Sequence, residues 1–434
     1  MKVYLSFVGC KLNLAEMEAL GRELQALGAD LVETPGEADL CIFNSCTVTA
    51  TAAGKSRRQV RQLVRQAPRA QIVVTGCHAT QAPEELAALS PQVVVVPNPR
   101  KGEILAYVRS LMGMDRATRP GRPRRLRTRA FVKIQDGCDN LCTYCVVRIA
   151  RGPQRSRPPE EVLREVRERV AEGVLEVVLT GVHVGAYGRD LGTDLVALVR
   201  RILAETEVRR LRLSSIEPHD LQPAFFALWE DPRLCPHLHL PLQSGSDAVL
   251  RRMGRRYTAG QFAAWVEEAR AAIRDLAVTT DVIVGFPAET EEEFRETVAF
   301  VEAMGFARVH IFPFSARPGT PAAAMPGRVP PQVVRERHRA LSQVAAEGAR
   351  RFARQFLGRT MEVLFEQRRE AEGQGLPLWT GLTGNYLRVG AVSGEDLHNR
   401  IRPVRLREVL EDDLLLGEVE EALPEARTSP VGKG

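Results

Sequence analysis

The 434-residue chain lacks a long hydrophobic run, although 44% of its residues are hydrophobic. No apolar stretch approaches the roughly 18 to 20 residues that cross a bilayer. Its N-terminus has the pattern of a β-strand and lacks the charged region, apolar core and small-residue cleavage site of a secretory signal. We therefore expect a soluble, cytoplasmic protein that does not bind a membrane, and the length predicts about two to four domains.

Cysteine and aromatic residues are also scarce. A chain this long does not need disulfides, and six of its eight cysteines lie in glycine-flanked or tightly spaced settings, which indicates a metal or cluster site. With six tyrosines and three tryptophans, the composition gives little sign of aromatic stacking on bases. The net charge of +6 is compatible with a phosphate-bearing partner without establishing one.

Two parts of the N-terminal third differ in pattern. In residues 1–115, short apolar runs alternate with helical periodicity, which predicts βαβ units and an open parallel sheet. The predicted strands are 3–8, 40–44, 72–75 and 93–96. Residues 116–129 hold seven arginines, two prolines and one glycine, which predicts an Arg-rich linker or exposed arm.

The rest of the chain predicts two further folded domains. Residues 130–356 contain six apolar strands separated by helical stretches, typical of a partial (β/α)6 barrel with its functional groups at the carboxyl ends of the strands. Those strands are predicted at 131–135, 177–180, 211–215, 237–242, 278–284 and 309–314. Residues 357–422 have glycine-punctuated strands, predicted at 360–365, 382–389 and 401–406, which indicate a small antiparallel, OB-like β-barrel. The tail 423–434 is predicted to be disordered. The fold class is therefore α/β with a C-terminal β-barrel.

Three cysteines lie close together at the end of the first predicted barrel strand. Cys138, Cys142 and Cys145 have C-x3-C-x2-C spacing, which lets three thiolates face one centre. Three ligands on a 4Fe-4S cluster leave one iron open for chemistry. The alternative is a structural zinc site with a distant fourth ligand, which the lack of a partner C-x2-C pair or an H-x3-H pair disfavours.

Three further cysteines each stand just past a predicted parallel strand. The carboxyl ends of parallel strands meet at one edge of an open sheet, so Cys10, Cys46 and Cys77 are predicted to converge on a second cluster. The alternative is three unrelated buried thiols. Cys41 and Cys235 lack this placement and are interpreted as packing residues.

These motifs resemble those of known enzymes. The C-x3-C-x2-C spacing, with Tyr144 before its last cysteine, is similar to the signature of the radical S-adenosylmethionine superfamily. The whole chain resembles the methylthiotransferases, which have an N-terminal cluster domain, a radical S-adenosylmethionine barrel and a C-terminal TRAM domain. The motifs Gly-Cys-Lys-Leu-Asn, Asn-Ser-Cys-Thr-Val-Thr and Gly-Cys around Cys10, Cys46 and Cys77 match the three cluster motifs of that family.

The resemblance implies a reaction and a set of partners. It implies two 4Fe-4S clusters and S-adenosyl-L-methionine as both radical source and methyl donor, with a 5′-deoxyadenosyl radical that abstracts hydrogen from an adenine carbon. The implied substrate is the anticodon stem-loop of tRNA. An electron donor such as flavodoxin or ferredoxin and a sulfur source are also implied.

The family has three branches, and several motifs resemble one of them. The runs ending in Cys138, His183 and Pro218 are similar to the branch that modifies C2 of N6-threonylcarbamoyladenosine at nucleotide 37 of tRNA. The branches acting on isopentenyladenosine in tRNA or on a ribosomal-protein aspartate are the alternatives within the family. An RNA-binding iron–sulfur protein without radical chemistry is the alternative of another class. Arg148 and Ile149 depart from the branch pattern in the loop after Cys145.

Other candidate site residues lie at predicted strand ends. Glycine-rich turns let the backbone approach a cofactor, and polar side chains there can hold its ribose or amino groups. The predicted S-adenosylmethionine contacts are Tyr144, Gly181, Glu217, Gln243, Ser244, Gly285 and Pro287. The alternative is ordinary strand-to-helix turns, with Glu289 and Thr290 capping a helix. His183 and His239 are not predicted to be catalytic.

Contacts with tRNA are predicted on two surfaces. Arginines of the linker and a row of cations on the helix after Cys46 could neutralise phosphates: Lys55, Arg58, Arg61 and Arg65. A solvated helix face and a flexible linker are the alternatives. In the last domain, Trp379, Tyr386 and Arg388 could stack on or pair with RNA, or could belong to the core.

Overall fold

The computed structural model describes residues 1–112, 128–370, 375–410 and 413–420. No helix within these ranges is both long and apolar enough to span a membrane. The predicted linker lies outside the described residues except for its last two, and the predicted tail lies outside them entirely.

The N-terminal domain is a five-stranded parallel sheet flanked by helices. Its strands are β1 (Lys2–Phe7), β2 (Asp30–Val32), β3 (Leu40–Ser45), β4 (Gln71–Gly76) and β5 (Val93–Val95). Its helices are α1 (Lys11–Ala26), α2 (Ala50–Gln66), α3 (Cys77–Gln81), α4 (Pro83–Ala87) and α5 (Glu103–Leu111). The strand order is β2-β1-β3-β4-β5. Strands β1, β3 and β4 are therefore neighbours, and their carboxyl ends share one edge of the sheet.

The central domain is a partial barrel of six parallel strands. The six strands are β6 (Arg129–Lys133), β9 (Glu176–Thr180), β10 (Arg210–Leu213), β11 (His237–His239), β12 (Ala277–Val284) and β13 (Arg308–Pro313). A separate antiparallel pair, β7 (Gln135–Asp136) and β8 (Arg155–Ser156), lies between β6 and β9 in the chain. Its helices are α6 (Val147–Arg151), α7 (Pro159–Ala171), α8 (Leu195–Glu205), α9 (Pro223–Phe226), α10 (Asp247–Arg252), α11 (Ala259–Ala272) and α12 (Glu291–Met304). The sheets β10-β9-β6 and β11-β12-β13 are joined by the bridge between Ser215 and His239. The predicted barrel is confirmed.

Successive side chains of the barrel strands alternate between the side packed against the surrounding helices and the side that faces the inside of the barrel. Val132, Val177 and Leu211 belong to the hydrophobic cluster formed with the surrounding helices. Residues one position along, such as Phe131 and Val178, face the other way, because successive strand side chains alternate. These residues are available to line the barrel interior.

The C-terminal domain is a closed five-stranded barrel behind the long helix α13 (Pro331–Arg354). Its strands are β14 (Thr360–Arg369), β15 (Leu378–Thr383), β16 (Arg388–Val392), β17 (Ile401–Val409) and β18 (Leu415–Val419). The β16–β18 pair is parallel, and the other described pairs are antiparallel. The predicted strand 382–389 is wrong, because the chain turns within it. Tyr386 has φ +69° and its N–H donates to the Thr383 carbonyl at 3.1 Å.

The barrel contacts both other domains. Leu14 and Ala15 of α1 pack against Phe131 and Val178, so the N-terminal domain covers the barrel interior. The turn between β15 and β16 of the C-terminal domain also contacts the central barrel, because the Arg212 guanidinium donates to the Gly384 carbonyl at 2.8 Å. The interior is thereby enclosed by residues of all three domains.

Candidate cofactor and active site

The first cysteine triad lies at one edge of the N-terminal sheet. Register pairs Ser45 with Gly76, so Cys46 and Cys77 leave neighbouring strands at the same height. Cys10 follows β1, on the other side of β3. Cys46 and Cys77 are buried, whereas Cys10 is exposed. Parallel topology therefore delivers the three thiols to the edge that the sequence predicts.

Contacts within this triad show that its thiols are close together. A Cβ added to Gly9, whose φ is +118°, would lie 2.7 Å from Cys46 Cβ and 2.8 Å from its Sγ, so glycine permits the approach. Burial raises the pKa of Cys46 to about 11, and the Cys77 and Cys10 thiols act in the same direction. Burial also raises the pKa of Cys77, and the positive charge of Arg151 acts in the opposite direction. A cluster's irons would supply the positive charge that three neighbouring thiolates require.

The second triad lies in the loop between β7 and α6. The Cys145 N–H donates to the Cys142 carbonyl at 3.1 Å, and the Asn140 N–H donates to Cys138 Sγ at 3.4 Å. Burial raises the pKa of Cys145 to about 12, and the Cys142 and Cys138 thiols add to this shift. The loop therefore brings three thiols so close together that their thiolate forms would repel one another, which fits ligation of a cluster by three thiolates.

Gly137 fixes the start of this loop. Its φ is +68°, and a Cβ there would lie 2.0 Å from the Pro153 carbonyl oxygen. The next residue, Cys138, donates its N–H to the Gly152 carbonyl at 3.2 Å. The chain after α6 thus packs directly against the first cysteine of the loop, and a side chain at Gly137 would separate them.

Arg255 contacts this triad, although the sequence patterns do not single it out. Its Nη1 lies 3.6 Å from Cys142 Sγ and 3.1 Å from Glu217 Oε1, and its Nη2 donates to Glu217 Oε2. Burial acts to lower the pKa of Arg255, but Glu217, Tyr144 and other neighbours raise it well above its usual value. The predicted contact Glu217 is therefore held beside Cys142 by its two bonds with Arg255. Nothing in local spacing distinguishes Arg255 from the adjacent Arg256.

His183 also lies beside the second triad. Its Nε2 is 2.6 Å from Asp220 Oδ2. Burial acts to lower the pKa of His183, but hydrogen bonds with Asp220 and Cys138 raise it to about 9. His239 lies farther along the barrel, with Nε2 3.3 Å from Asp281 Oδ2. His183 thus lies near the cysteine loop, which no sequence motif around it indicated.

The other predicted cofactor contacts fall into two groups. The Tyr144 ring packs edge-on against Phe286, with 6.5 Å between centroids, which places it beside the segment containing Gly285 and Pro287. Gly181 adjoins Gln135, whose Oε1 accepts from the Val182 and His183 N–H groups at 2.9 Å. These contacts tie Tyr144 and Gly181 to the cysteine loop and its neighbouring strand ends.

The second group is engaged in packing. Gln243 has φ +70° and donates its N–H to the Asp281 carbonyl at 2.8 Å. The fully buried Ser244 hydroxyl lies 3.1 Å from Thr297 Oγ1 in α12. Thr290 caps α12 through a reciprocal bond with Glu293, as the alternative interpretation of this turn predicts. The side chain of Ser244 is therefore directed at a helix.

A polar network joins the two triads across the domain interface. Arg151 of α6 donates to Asn13 Oδ1 at 2.7 Å and to Glu16 Oε1 at 2.9 Å in the N-terminal domain. Asn98 donates to the Ala150 carbonyl at 2.8 Å and lies 3.8 Å from Cys77 Sγ. The segment that follows Cys145 is thus fixed against a residue that touches Cys77, so both triads border the same interface.

The predicted tRNA contacts differ in accessibility. Lys55, Arg58, Arg61 and Arg65 are all exposed on α2. Trp379 is 5% exposed and belongs to the core of the C-terminal barrel. The Tyr386 ring stacks on His237, with 4.6 Å between ring centroids. The structure therefore leaves the α2 row available to an external partner and places both aromatic rings against the protein.

Known families match most of the chain. Residues 132–301 match the radical SAM superfamily, and residues 2–97 match the uncharacterized protein family UPF0004. A threonylcarbamoyladenosine tRNA methylthiotransferase MtaB of Thermotoga maritima is 40% identical, with 84% of this chain and 86% of the relative covered. The Bacillus subtilis protein of the same name is 37% identical, with 92% of each covered. A tRNA-2-methylthio-N(6)-dimethylallyladenosine synthase of Novosphingobium aromaticivorans is 36% identical, covering 85% and 87%.

Solved structures provide a further comparison of the fold. The radical S-adenosylmethionine methyltransferase TsrM of Kitasatospora setae, solved with tryptophan and a cofactor analogue, superposes with a TM-score of 0.55. The match covers 86% of this chain and 79% of that chain at 16% sequence identity. At this identity the likeness concerns the fold alone.

Proposed function

The chain belongs to the radical S-adenosylmethionine methylthiotransferase family, and we propose that it methylthiolates C2 of N6-threonylcarbamoyladenosine at nucleotide 37 of tRNA. It is an enzyme of tRNA modification that depends on S-adenosylmethionine and 4Fe-4S chemistry. The relatives named for threonylcarbamoyladenosine in T. maritima and B. subtilis support the proposed nucleoside. The observation that carries the proposal is the meeting of two cysteine triads at one interface.

In this proposal the two triads have separate tasks. Cys138, Cys142 and Cys145 would hold the cluster that, when bound, supplies the electron for cleaving S-adenosylmethionine to a 5′-deoxyadenosyl radical. Cys10, Cys46 and Cys77 would hold a second cluster at the place where sulfur is delivered. The network through Arg151 and Asn98 fixes the spacing of these two places. A target base would have to lie between them.

Residues around the second triad would position the cofactor. The carboxylate of Glu217, held by Arg255 beside Cys142, can accept a hydrogen bond from an amino or ribose group. Tyr144 and Phe286 form an apolar wall, and the turns at Gly181, Gly285 and Pro287 expose backbone groups at the neighbouring strand ends. Gln243 would act through its backbone, whereas Ser244 would support the turn. This arrangement orients the cofactor and excludes water from a reactive radical.

External partners follow from the same proposal. The exposed row Lys55, Arg58, Arg61 and Arg65 would neutralise phosphates of the anticodon stem, together with arginines of residues 116–129. An electron donor such as flavodoxin or ferredoxin would reduce the catalytic cluster. A separate sulfur source would renew the sulfur consumed at each turnover. These partners are consistent with a cytoplasmic enzyme.

The second candidate substrate is dimethylallyladenosine (isopentenyladenosine), which the N. aromaticivorans relative supports. Anaerobically reconstituted enzyme should be given S-adenosylmethionine, reductant, and anticodon stem-loop RNAs that differ in the N6 group of the target adenosine. The proposal expects roughly eight irons per chain, 5′-deoxyadenosine, and methylthiolation of the threonylcarbamoyl RNA. Exclusive modification of the isopentenyl RNA would select the second candidate. Iron binding without cofactor cleavage would indicate an RNA-binding cluster protein, and activity on a ribosomal protein alone would indicate the aspartate branch.

A further inference from the structure

Several cations lie between the N-terminal domain and the barrel, and one carboxylate neutralises three of them. Lys101, Lys133 and Arg151 share Glu16, at distances of 2.6, 3.0 and 2.9 Å. Within the barrel domain itself, Arg255 pairs with Glu217, and Arg212 pairs with Glu176 at 2.7 Å. Pairing of this kind is expected, because an unpaired charge in a poorly hydrated region is unfavourable.

Two cations in this region, Lys11 and Arg317, lack a carboxylate ion pair within the described residues. Arg317 donates to Thr47 Oγ1 and Gln81 Oε1, whereas Lys11 has no such oxygen partner there. Within the part of the chain that the structure describes, no carboxylate pairs with its ammonium group, which lies 5.6 Å from the centroid of the Tyr386 ring. The aromatic face offers a weak attraction and no counter-charge. Lys11 is half-buried at the first position of α1. It is therefore a cation that lies against an aromatic ring and has no carboxylate partner among the described residues.

The surroundings of Lys11 show that its side chain extends toward the barrel. The Tyr386 ring stacks on His237 of β11, and both His237 and His310 lie close enough to sense the positive charge of Lys11. Burial lowers the pKa of both histidines, and this charge lowers it further, so both are neutral at physiological pH. A cavity of about 410 Å³ is bordered by His310 and Tyr386. The Lys11 ammonium group is thus close to Tyr386 and His310, and these two neighbours border a cavity.

Lys11 also follows directly after Cys10, where the proposed function places sulfur delivery. A base whose C2 receives sulfur there carries its N6 substituent on the same ring. The threonylcarbamoyl group ends in a carboxylate, whereas the isopentenyl group is uncharged. A cation beside the sulfur-delivering edge can therefore distinguish the two nucleosides.

We propose that Lys11 is a specificity-determining residue, which binds the carboxylate of the threonylcarbamoyl group through a charge-assisted hydrogen bond. This inference rests on the proposed function and adds the residue that selects the substrate. Bonds to charged groups are among the stronger hydrogen bonds, and enclosure between domains strengthens them. An uncharged N6 group would leave the ammonium without a partner.

The test compares two RNAs with the reconstituted full-length enzyme. One anticodon stem-loop carries N6-threonylcarbamoyladenosine, and the other carries the same nucleoside with its carboxylate replaced by a carboxamide. Wild-type enzyme should prefer the acid by roughly 10- to 100-fold in kcat/KM, the usual range for one bond to a charged group. Lys11→Gln should reduce this ratio to about one, and Lys11→Arg should restore most of it.

Two measurements separate recognition from damage to the cluster domain. Iron content and the electron paramagnetic resonance spectrum of Lys11→Gln should match the wild type, and RNA affinity by fluorescence anisotropy should show the same change in acid-to-amide ratio. Lys55→Gln on α2 is the matched control, because loss of a phosphate contact should weaken both RNAs equally. An unchanged acid-to-amide ratio in Lys11→Gln, or an equal loss of activity on both RNAs, would overturn the inference about Lys11. The proposed function would still stand in that case if the wild-type enzyme modifies the acid RNA. Wild-type activity confined to isopentenyl RNA would overturn both.

Discussion

The guanidinium of Arg151 donates to Asn13 Oδ1 at 2.7 Å. This bond joins the helix that follows the second cysteine triad to the helix that follows Cys10. Arg151 is 3% exposed and also contacts Glu16 and Asp136, at 2.9 and 3.0 Å. One buried side chain thus ties the separate cysteine sites of two domains into a single interface.

Replacing Arg151 should loosen this interface. Arg151→Met keeps much of the side-chain volume but leaves Glu16 with fewer cations, and removal of one partner from a buried ion pair destabilises by about 3–5 kcal/mol. We expect faster amide hydrogen exchange in α1 and β6, measured by mass spectrometry. Arg148→Ala changes an exposed arginine of the same helix and should leave exchange nearly unaltered. Unchanged protection of α1 in Arg151→Met would contradict a docking role.

The sequence predicts that these cysteines converge because a parallel sheet places the ends of its strands along one edge. Each of Cys10, Cys46 and Cys77 follows an apolar run, and any parallel sheet of these runs aligns their ends. Arg151 and Arg255 could not be recognised in this way. Their partners, such as Glu16 and Glu217, lie 135 and 38 positions away, and short-range spacing contains no trace of those pairs.

The error in the C-terminal domain arises because tertiary contacts compete with a local strand preference. Residues 382–389 contain Leu382, Leu387 and Val389, and such apolar residues favour a strand. The chain instead turns at Tyr386, whose positive φ is uncommon for an aromatic residue. Contacts with His237 and Arg212 on the barrel hold the Tyr386 ring in place. Tertiary packing therefore overrides the local preference.

Gly137→Ala should disrupt the loop of the second cysteine triad more than Gly152→Ala. Both glycines have positive φ, +68° and +79°, but an added Cβ would lie 2.0 Å from the Pro153 carbonyl oxygen at Gly137 and would meet nothing within 4 Å at Gly152. Both variants incur a backbone strain of about 1–3 kcal/mol, but only Gly137→Ala also brings the new Cβ into collision with Pro153. We expect Gly137→Ala to lose the irons of one cluster after reconstitution, with Gly152→Ala retaining them. Equal iron content would show that the loop adapts.

Acid should weaken the interface through Glu16. Burial acts to raise the pKa of this carboxyl, but Lys101, Arg151 and Lys133 hold it well below its usual value of 4.5. A lowered pKa in the folded state means that the carboxylate stabilises the protein above pH 4.5 and that this contribution is lost as pH falls through the folded-state value. The thermal midpoint of the wild type should therefore fall more steeply below about pH 4.5 than that of Glu16→Gln. Exposed Glu84→Gln should follow the wild type, and parallel curves for all three would contradict the assignment.

Glu217→Gln should weaken cofactor binding. The change keeps the shape of the side chain but removes the charge that Arg255 neutralises beside Cys142. Loss of a charge-assisted bond is worth about 1.5–3 kcal/mol, so Kd for S-adenosylmethionine should rise roughly 10- to 100-fold in calorimetric titration of the reconstituted enzyme. Exposed Glu207→Gln is the control and should bind normally. Normal affinity in Glu217→Gln, with full iron content, would remove Glu217 from the cofactor site.

The α2 row should account for part of the salt dependence of RNA binding. Lys55, Arg58, Arg61 and Arg65 are exposed along one helix, and each phosphate contact contributes roughly 0.7–0.9 to the slope of log K against log salt. Replacing all four with glutamine should lower that slope by about 3 if every cation meets a phosphate. Arg295→Gln is the control and should leave the slope unchanged, because Arg295 of α12 is 71% exposed and lies 3.4 Å from Glu291.

Because counterion release is independent of base identity, the quadruple variant should lose affinity equally for modified and unmodified stem-loops. A loss confined to one RNA would instead indicate that the row reads the nucleoside, and an unchanged slope would mean that α2 faces solvent in the complex.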